Sequence, residues 1–170
     1  MCQFLCQEVS MEQDSEYRQQ LLQEYRQTVM PLLRYLPWLE KNRGQLGSTL
    51  YRGADATEHS LPFPVYDSTL MSFVREASES KLMERNYRYT YTRNRINTHE
   101  DERRVIEAAE LKDWDILRGI LSKYVLGGKT KASLWSEAVQ ENIFCLVLLK
   151  MKVIIEYWDK PLDIKQNEGN

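Results

Sequence analysis

The chain has 170 residues, with 23 Lys and Arg against 25 Asp and Glu, a formal charge of −2, and 42% apolar residues. These values fit a globular chain long enough to bury a core, and they exclude fibrous or wholly disordered character. They also argue against binding nucleic acid through bulk charge, which takes a basic domain.

The opening MCQFLCQEVS has neither the basic start nor the apolar stretch of a signal peptide. Met11 reads as the better beginning of the fold, so residues 1–11 are expected to be a disordered tail, residues 12–160 one helical domain, and residues 161–170 a polar tail. Cys2, Cys6 and Cys145 form an odd set, and Cys145 lies in the apolar run IFCLVLL, which points to a reducing, cytoplasmic compartment. No second pair or histidine stands near Cys2 and Cys6, so neither a metal nor another cofactor is expected.

Leu21, Leu22, Tyr25, Val29 and Met30 recur at helical spacing, and Pro31 is expected to kink or break that helix. The apolar face continues through Leu32, Leu33, Leu36, Trp38 and Leu39, giving two helical pieces at an angle. Residues 44–66 gather Gly44, Gly47, Gly53, Pro62 and Pro64 into an irregular connection. Asp67 or Ser68 can cap a helix that carries Leu70, Met71, Phe73 and Val74.

The segment NYRYTYTRNR, residues 86–95, alternates Tyr87, Tyr89 and Tyr91 with Arg88, Thr90 and Thr92, the period of a strand. Such a strand must pair, and the stretch around Thr49, Tyr51 and Val65 is the available partner. Thr98 and Asp101 form a capping box for the next helix, whose buried face is Val105, Ile106 and Ala109. A further helix puts Trp114, Leu117, Leu121 and Tyr124 on one stripe, with Gly127 and Gly128 as its stop. Ser133 can cap LWSEAVQEN, and residues 143–158 read as a central core helix, too short and too charged for a membrane span. The expected fold is therefore mainly α: a compact helical domain with a central apolar C-terminal helix. At most a small β-hairpin or extended strip is expected, near residues 48–66 and 86–95.

Residues 81–95 hold five basic side chains with Glu84 as the one acid, while Glu8, Glu12, Asp14, Glu16 and Glu24 make the N-terminus acidic. Two readings of the basic strip compete. In one, a tyrosine face packs inward and the arginines pair with Glu100, Asp101 and Glu102. In the other, Arg85, Tyr87, Arg88, Tyr89, Arg93, Arg95, Arg103 and Arg104 bind a partner, either a protein surface or a nucleic-acid backbone. His99 beside Glu102 can be drawn as an acid/base pair, but His59 and His99 share no metal motif, and no nucleophile or phosphate-loop motif is present. Residues 129–158 can be drawn as a helix-turn-helix, yet FCLVLLKMKVIIEYW is too apolar to read base edges.

LPWLEKNRG at 36–44, FPVYDSTLMSFVREA at 63–77, YTYTRNRINTHEDERRVIEAA at 89–109 and LSKYVLGGKTKASLWSEAV at 121–139 together resemble a family of small proteins from mobile elements and phages of Firmicutes. The likeness covers Leu32 to Pro161, and the family is mostly described as a domain of unknown function. Within that setting the chain also looks like the phage-borne anti-CRISPR proteins directed against Cas9. The resemblance implies a non-enzymatic partner of the Cas9–guide RNA complex acting in the bacterial cytoplasm, with no cofactor and no membrane. The alternative is a nucleic-acid-binding accessory protein of a mobile element.

Overall fold

The computed structural model describes residues 2–53 and 61–159, with side chains from residue 15 onward. Helix α1, Cys2–Leu33, begins inside the segment expected to be a loose tail. No glycine or proline precedes Pro31, so nothing local interrupts it. The expected tail at 161–170 lies outside the described residues. Pro31 does not break α1, which runs two residues further. The bend falls instead at Arg34 and Tyr35, where the Tyr35 N–H donates to the Leu32 carbonyl at 3.1 Å. Helix α2, Leu36–Lys41, then starts with Pro37 in its first turn, where a missing N–H costs nothing.

The connection at 44–66 contains a hairpin. Strand β1, Ser48–Tyr51, pairs antiparallel with β2, Phe63–Tyr66, in the register Ser48 to Tyr66 and Tyr51 to Phe63. Gly47 supports its base with a φ of 62°, and a Cβ there would sit 3.1 Å from Leu70 Cδ2. Helix α3, Ser68–Glu79, is capped by Asp67, whose side chain accepts from the Thr69 N–H at 2.7 Å.

The expected strand at 86–95 is a helix. Helix α4 spans Tyr87–Arg93, and it does not pair with the hairpin. Tyr87, Thr90, Tyr91 and Asn94 turn inward while Arg88, Tyr89, Thr92 and Arg93 are exposed, a spacing of three and four residues. The tyrosine alternation matched a strand only because it ignored Thr90 and Asn94, which complete a helical face.

Helix α5, His99–Ala108, carries the full capping box between Thr98 and Asp101. A short 3₁₀ turn at Leu111–Asp113 leads into α6, Trp114–Gly128. Helix α6 ends at Gly128, where the two glycines were expected to stop it, but without a left-handed cap, since Lys129 keeps right-handed geometry at φ −62°. Their role is close packing, because a Cβ on Gly128 would lie 1.9 Å from Trp135 Nε1. Helix α7, Ser133–Gln140, takes Ser133 as its first residue and has no side-chain cap. Asn142, at φ 63°, turns the chain into α8, Ile143–Trp158.

The fold is mainly α: eight helices and one two-stranded sheet among the described residues. Helix α8 is the core helix, touching α1, α2, α5, α6 and α7. Phe144, in its first turn, lies edge-on to Phe73 at 4.9 Å and to Tyr124 at 6.1 Å. Cys145 is buried there, and burial pushes its thiol up to about 11. No helix among the described residues is long and apolar enough to cross a membrane.

Helix α4 lies across α6 at Gly119, where an added Cβ would stand 2.6 Å from Thr90 Cγ2 and 2.8 Å from Thr90 Cβ. Rotating the threonine cannot relieve the second contact, so the helices must separate. Gly119→Ala is expected to cost about 1–3 kcal/mol in urea unfolding, as overpacking does.

Candidate partner-binding surface

Helix α4 is short, and its seven residues would not hold a helix alone. Three anchors fix it and the segment that leads into it. Arg118 on α6 donates to the carbonyls of Lys81 and Leu82, each at 3.2 Å, and Ser122 Oγ accepts from the Glu84 N–H at 2.7 Å. Thr90 fills the notch over Gly119. Tyr91 reaches into a polar cluster between α5, α6 and α7.

That cluster centres on Glu102, which is 1% exposed. Its Oε1 accepts from the Tyr91 hydroxyl at 2.5 Å and from Lys123 Nζ at 2.9 Å, and its Oε2 accepts from the Tyr124 hydroxyl at 2.8 Å. His99 Nδ1 lies 2.9 Å from the same Oε2, and His99 Nε2 lies 3.1 Å from Glu137 on α7. The Lys123 ammonium also sits over the rings of Tyr91 and Tyr124, at 4.7 and 4.6 Å. Burial pushes the Glu102 carboxyl up, but hydrogen bonds from Tyr91, His99 and Lys123 outweigh it and hold the group below the ordinary glutamate value. Burial, followed by the charge of Glu102, pushes the phenols of Tyr91 and Tyr124 upward. Every member faces another member, so the cluster ties α4, α5, α6 and α7 together. No group of three metal-ligating side chains occurs among the described residues.

The eight residues singled out from the sequence separate into three groups. Arg88, Tyr89 and Arg93 stand on the outer face of α4, with Arg85 before it and Arg95 after it, all exposed. None of these four arginines has a carboxylate within 4.0 Å among the described residues. Tyr87 is half-buried, its hydroxyl 3.5 Å from where a Cβ on Gly127 would lie. Arg103 and Arg104 on α5 are engaged: Arg103 with Glu141, and Arg104 with Asp101 at 2.7 Å. The expected pairing of the strip with Glu100, Asp101 and Glu102 therefore holds for Arg104 and not for the arginines of α4. Glu102 takes Lys123 instead. Lys123 and Tyr124 were not anticipated as partners of this region. The available signal was helix phase, since Glu102 lies four residues before buried Ile106 and shares its face.

Arg95 shows backbone strain. Its φ is 53°, left-handed, at the position after α4 where glycine is the usual residue. The Ile96 N–H donates to the Tyr91 carbonyl at 3.0 Å and the Arg95 N–H to that of Thr92 at 3.3 Å, a Schellman closure. Keeping an arginine there costs roughly 1 kcal/mol. Arg95→Gly is expected to raise stability by roughly 0.5–1 kcal/mol in urea unfolding.

Away from this face, a shallow groove of about 380 Å³ between α1 and α3 is lined by Glu24, Thr28, Leu32, Glu76 and Glu79. Comparison of the chain with protein-family models, with curated proteins and with solved structures gives no match.

Proposed function

We propose that this chain is a stoichiometric inhibitor that docks on guide-loaded Cas9 through the outer face of α4 and blocks DNA binding or cleavage. The observation that carries the docking surface is a set of four exposed arginines around Tyr89, two on α4 and one at each end of it, with no acidic partner among the described residues. Arginine and tyrosine are the residue types that dominate interface energetics, and a preformed surface loses little entropy on binding. An arginine kept in left-handed backbone at the edge of the patch fits a functional demand on that position. The resemblance to Firmicute phage and mobile-element proteins, and to anti-CRISPR proteins, directs the choice of partner. A net charge of −2 does not suit wholesale DNA mimicry, so the inhibitor acts by occupying a protein or guide-backbone surface needed for DNA loading or nuclease rearrangement, steps that are separable in such effectors.

Titration of the protein into a DNA-cleavage reaction of guide-loaded Cas9 is the test. Inhibition that saturates at a fixed molar ratio to Cas9 is expected. Full cleavage at a large molar excess, across several Cas9 orthologues, contradicts the proposal.

A further inference from the structure

Among the described residues the hairpin has one open edge and one closed edge. The Asp67 N–H donates to the Gly47 carbonyl at 2.9 Å, which makes Gly47 and Asp67 a hydrogen-bonded pair. The register then alternates, so Thr49 and Val65, and Tyr51 and Phe63, are hydrogen-bonded pairs, while Ser48 and Leu50 on β1 and Pro64 and Tyr66 on β2 direct their backbone groups outward. On the β2 side the outward position is Pro64, which has no N–H, so that edge cannot complete another ladder. On the β1 side, Ser48 and Leu50 present N–H and C=O groups that have no backbone partner among the described residues.

The centre of this edge is apolar and exposed, and so are side chains of the neighbouring strand. Leu50 is 74% exposed, and Tyr51, Phe63 and Val65 are each close to half exposed. Tyr51 and Phe63 stack edge to face at 5.6 Å, on the sheet face opposite Ser48 and Tyr66, which turn toward Ser136 and Trp135 of α7.

We infer that β1 pairs antiparallel with β1 of a second copy, giving a four-stranded sheet in the order β2-β1-β1-β2. A two-fold axis at Leu50 makes the edge self-complementary. The two Leu50 residues exchange backbone hydrogen bonds and cover each other. Thr49 of each copy faces Tyr51 of the other, a β-branched and aromatic pair of the kind that stabilises sheets. Arg52 faces Ser48, so no like charges meet. Pro64 at both outer edges ends the sheet at four strands, which favours a closed dimer over a growing fibre. A contact made by one four-residue strand lies at the small end of specific interfaces, so the dimer is reversible and concentration-dependent.

Sedimentation velocity of the full chain from low to high micromolar concentration tests this. The expected result is a shift from monomer to dimer, lost in Leu50→Pro, which removes an outward N–H without touching a β1–β2 hydrogen bond. Leu50→Lys keeps the backbone donor, sets two ammonium groups together at the axis, and is expected to weaken the dimer at least tenfold. Circular dichroism should be unchanged in both variants. If Leu50→Pro fails to fold, Leu50→Lys decides alone. A wild-type chain that stays monomeric throughout, or folded variants that dimerise like wild type, would overturn the assignment.

Discussion

Replacing Glu102 with alanine is expected to lower the unfolding free energy by about 3–5 kcal/mol, the usual cost of removing one partner from a buried ion pair. The Lys123 ammonium would remain among the rings of Tyr91 and Tyr124, and both phenols would lose their carboxylate acceptor. Glu102→Gln is expected to cost less, because the amide oxygen still accepts hydrogen bonds. Urea midpoints at neutral pH measure both. The pH dependence follows in sign: a carboxyl held below its ordinary value of 4.5 contributes stability above that pH, and the contribution is lost as the pH falls through the lower native value. Wild type should therefore lose stability steeply below about pH 4.5, and Glu102→Gln should flatten that limb. Tyr91 is part of the cluster, so loss of Glu102 should also loosen α4, seen as faster amide exchange at residues 88–94.

Reversing two charges on α4, Arg88→Glu with Arg93→Glu, is expected to weaken binding to guide-loaded Cas9 roughly a hundredfold or more, since arginines that act as interface hot spots cost about 2 kcal/mol or more each. Both side chains are exposed and unpaired among the described residues, so the thermal midpoint should stay close to wild type. Arg103→Ala provides the contrast. Its partner is Glu141 at the end of α7, so it should alter stability modestly and binding much less than the α4 reversal. Equal effects from the two sets would move the docking surface away from α4.

Much of the helical scaffold was legible because each signal has a local cause. The Thr98–Asp101 box, the Asp67 cap, the stripe through Trp114, Leu117, Leu121 and Tyr124, and the apolar run of α8 follow from spacing within one or two turns. The errors arose where one pattern served two structures. Three tyrosines at period two satisfied a strand, and Thr90 and Asn94, polar but inward, concealed the helix. Gly127 and Gly128 do mark the end of α6, but the close packing of Gly128 against Trp135 on another helix, like that of Gly119 against Thr90, was not legible. No local rule reports such contacts. The exposed arginines of α4 were legible as residues, but their separation from Arg103 and Arg104 depended on Glu141 and Asp101. The polar cluster needed the phase of α5 together with the crossing of α6, and only the first was available from spacing.

The most direct measurement is gel-filtration co-elution of the protein with guide-loaded Cas9, beside free guide RNA and the Arg88/Arg93 reversal. Co-elution of the wild-type chain with the complex, absent for the reversed variant and absent for free RNA, is the predicted result. Binding to free guide RNA alone, or no co-elution with any of several Cas9 orthologues, would contradict the inhibitor account and favour a nucleic-acid accessory role.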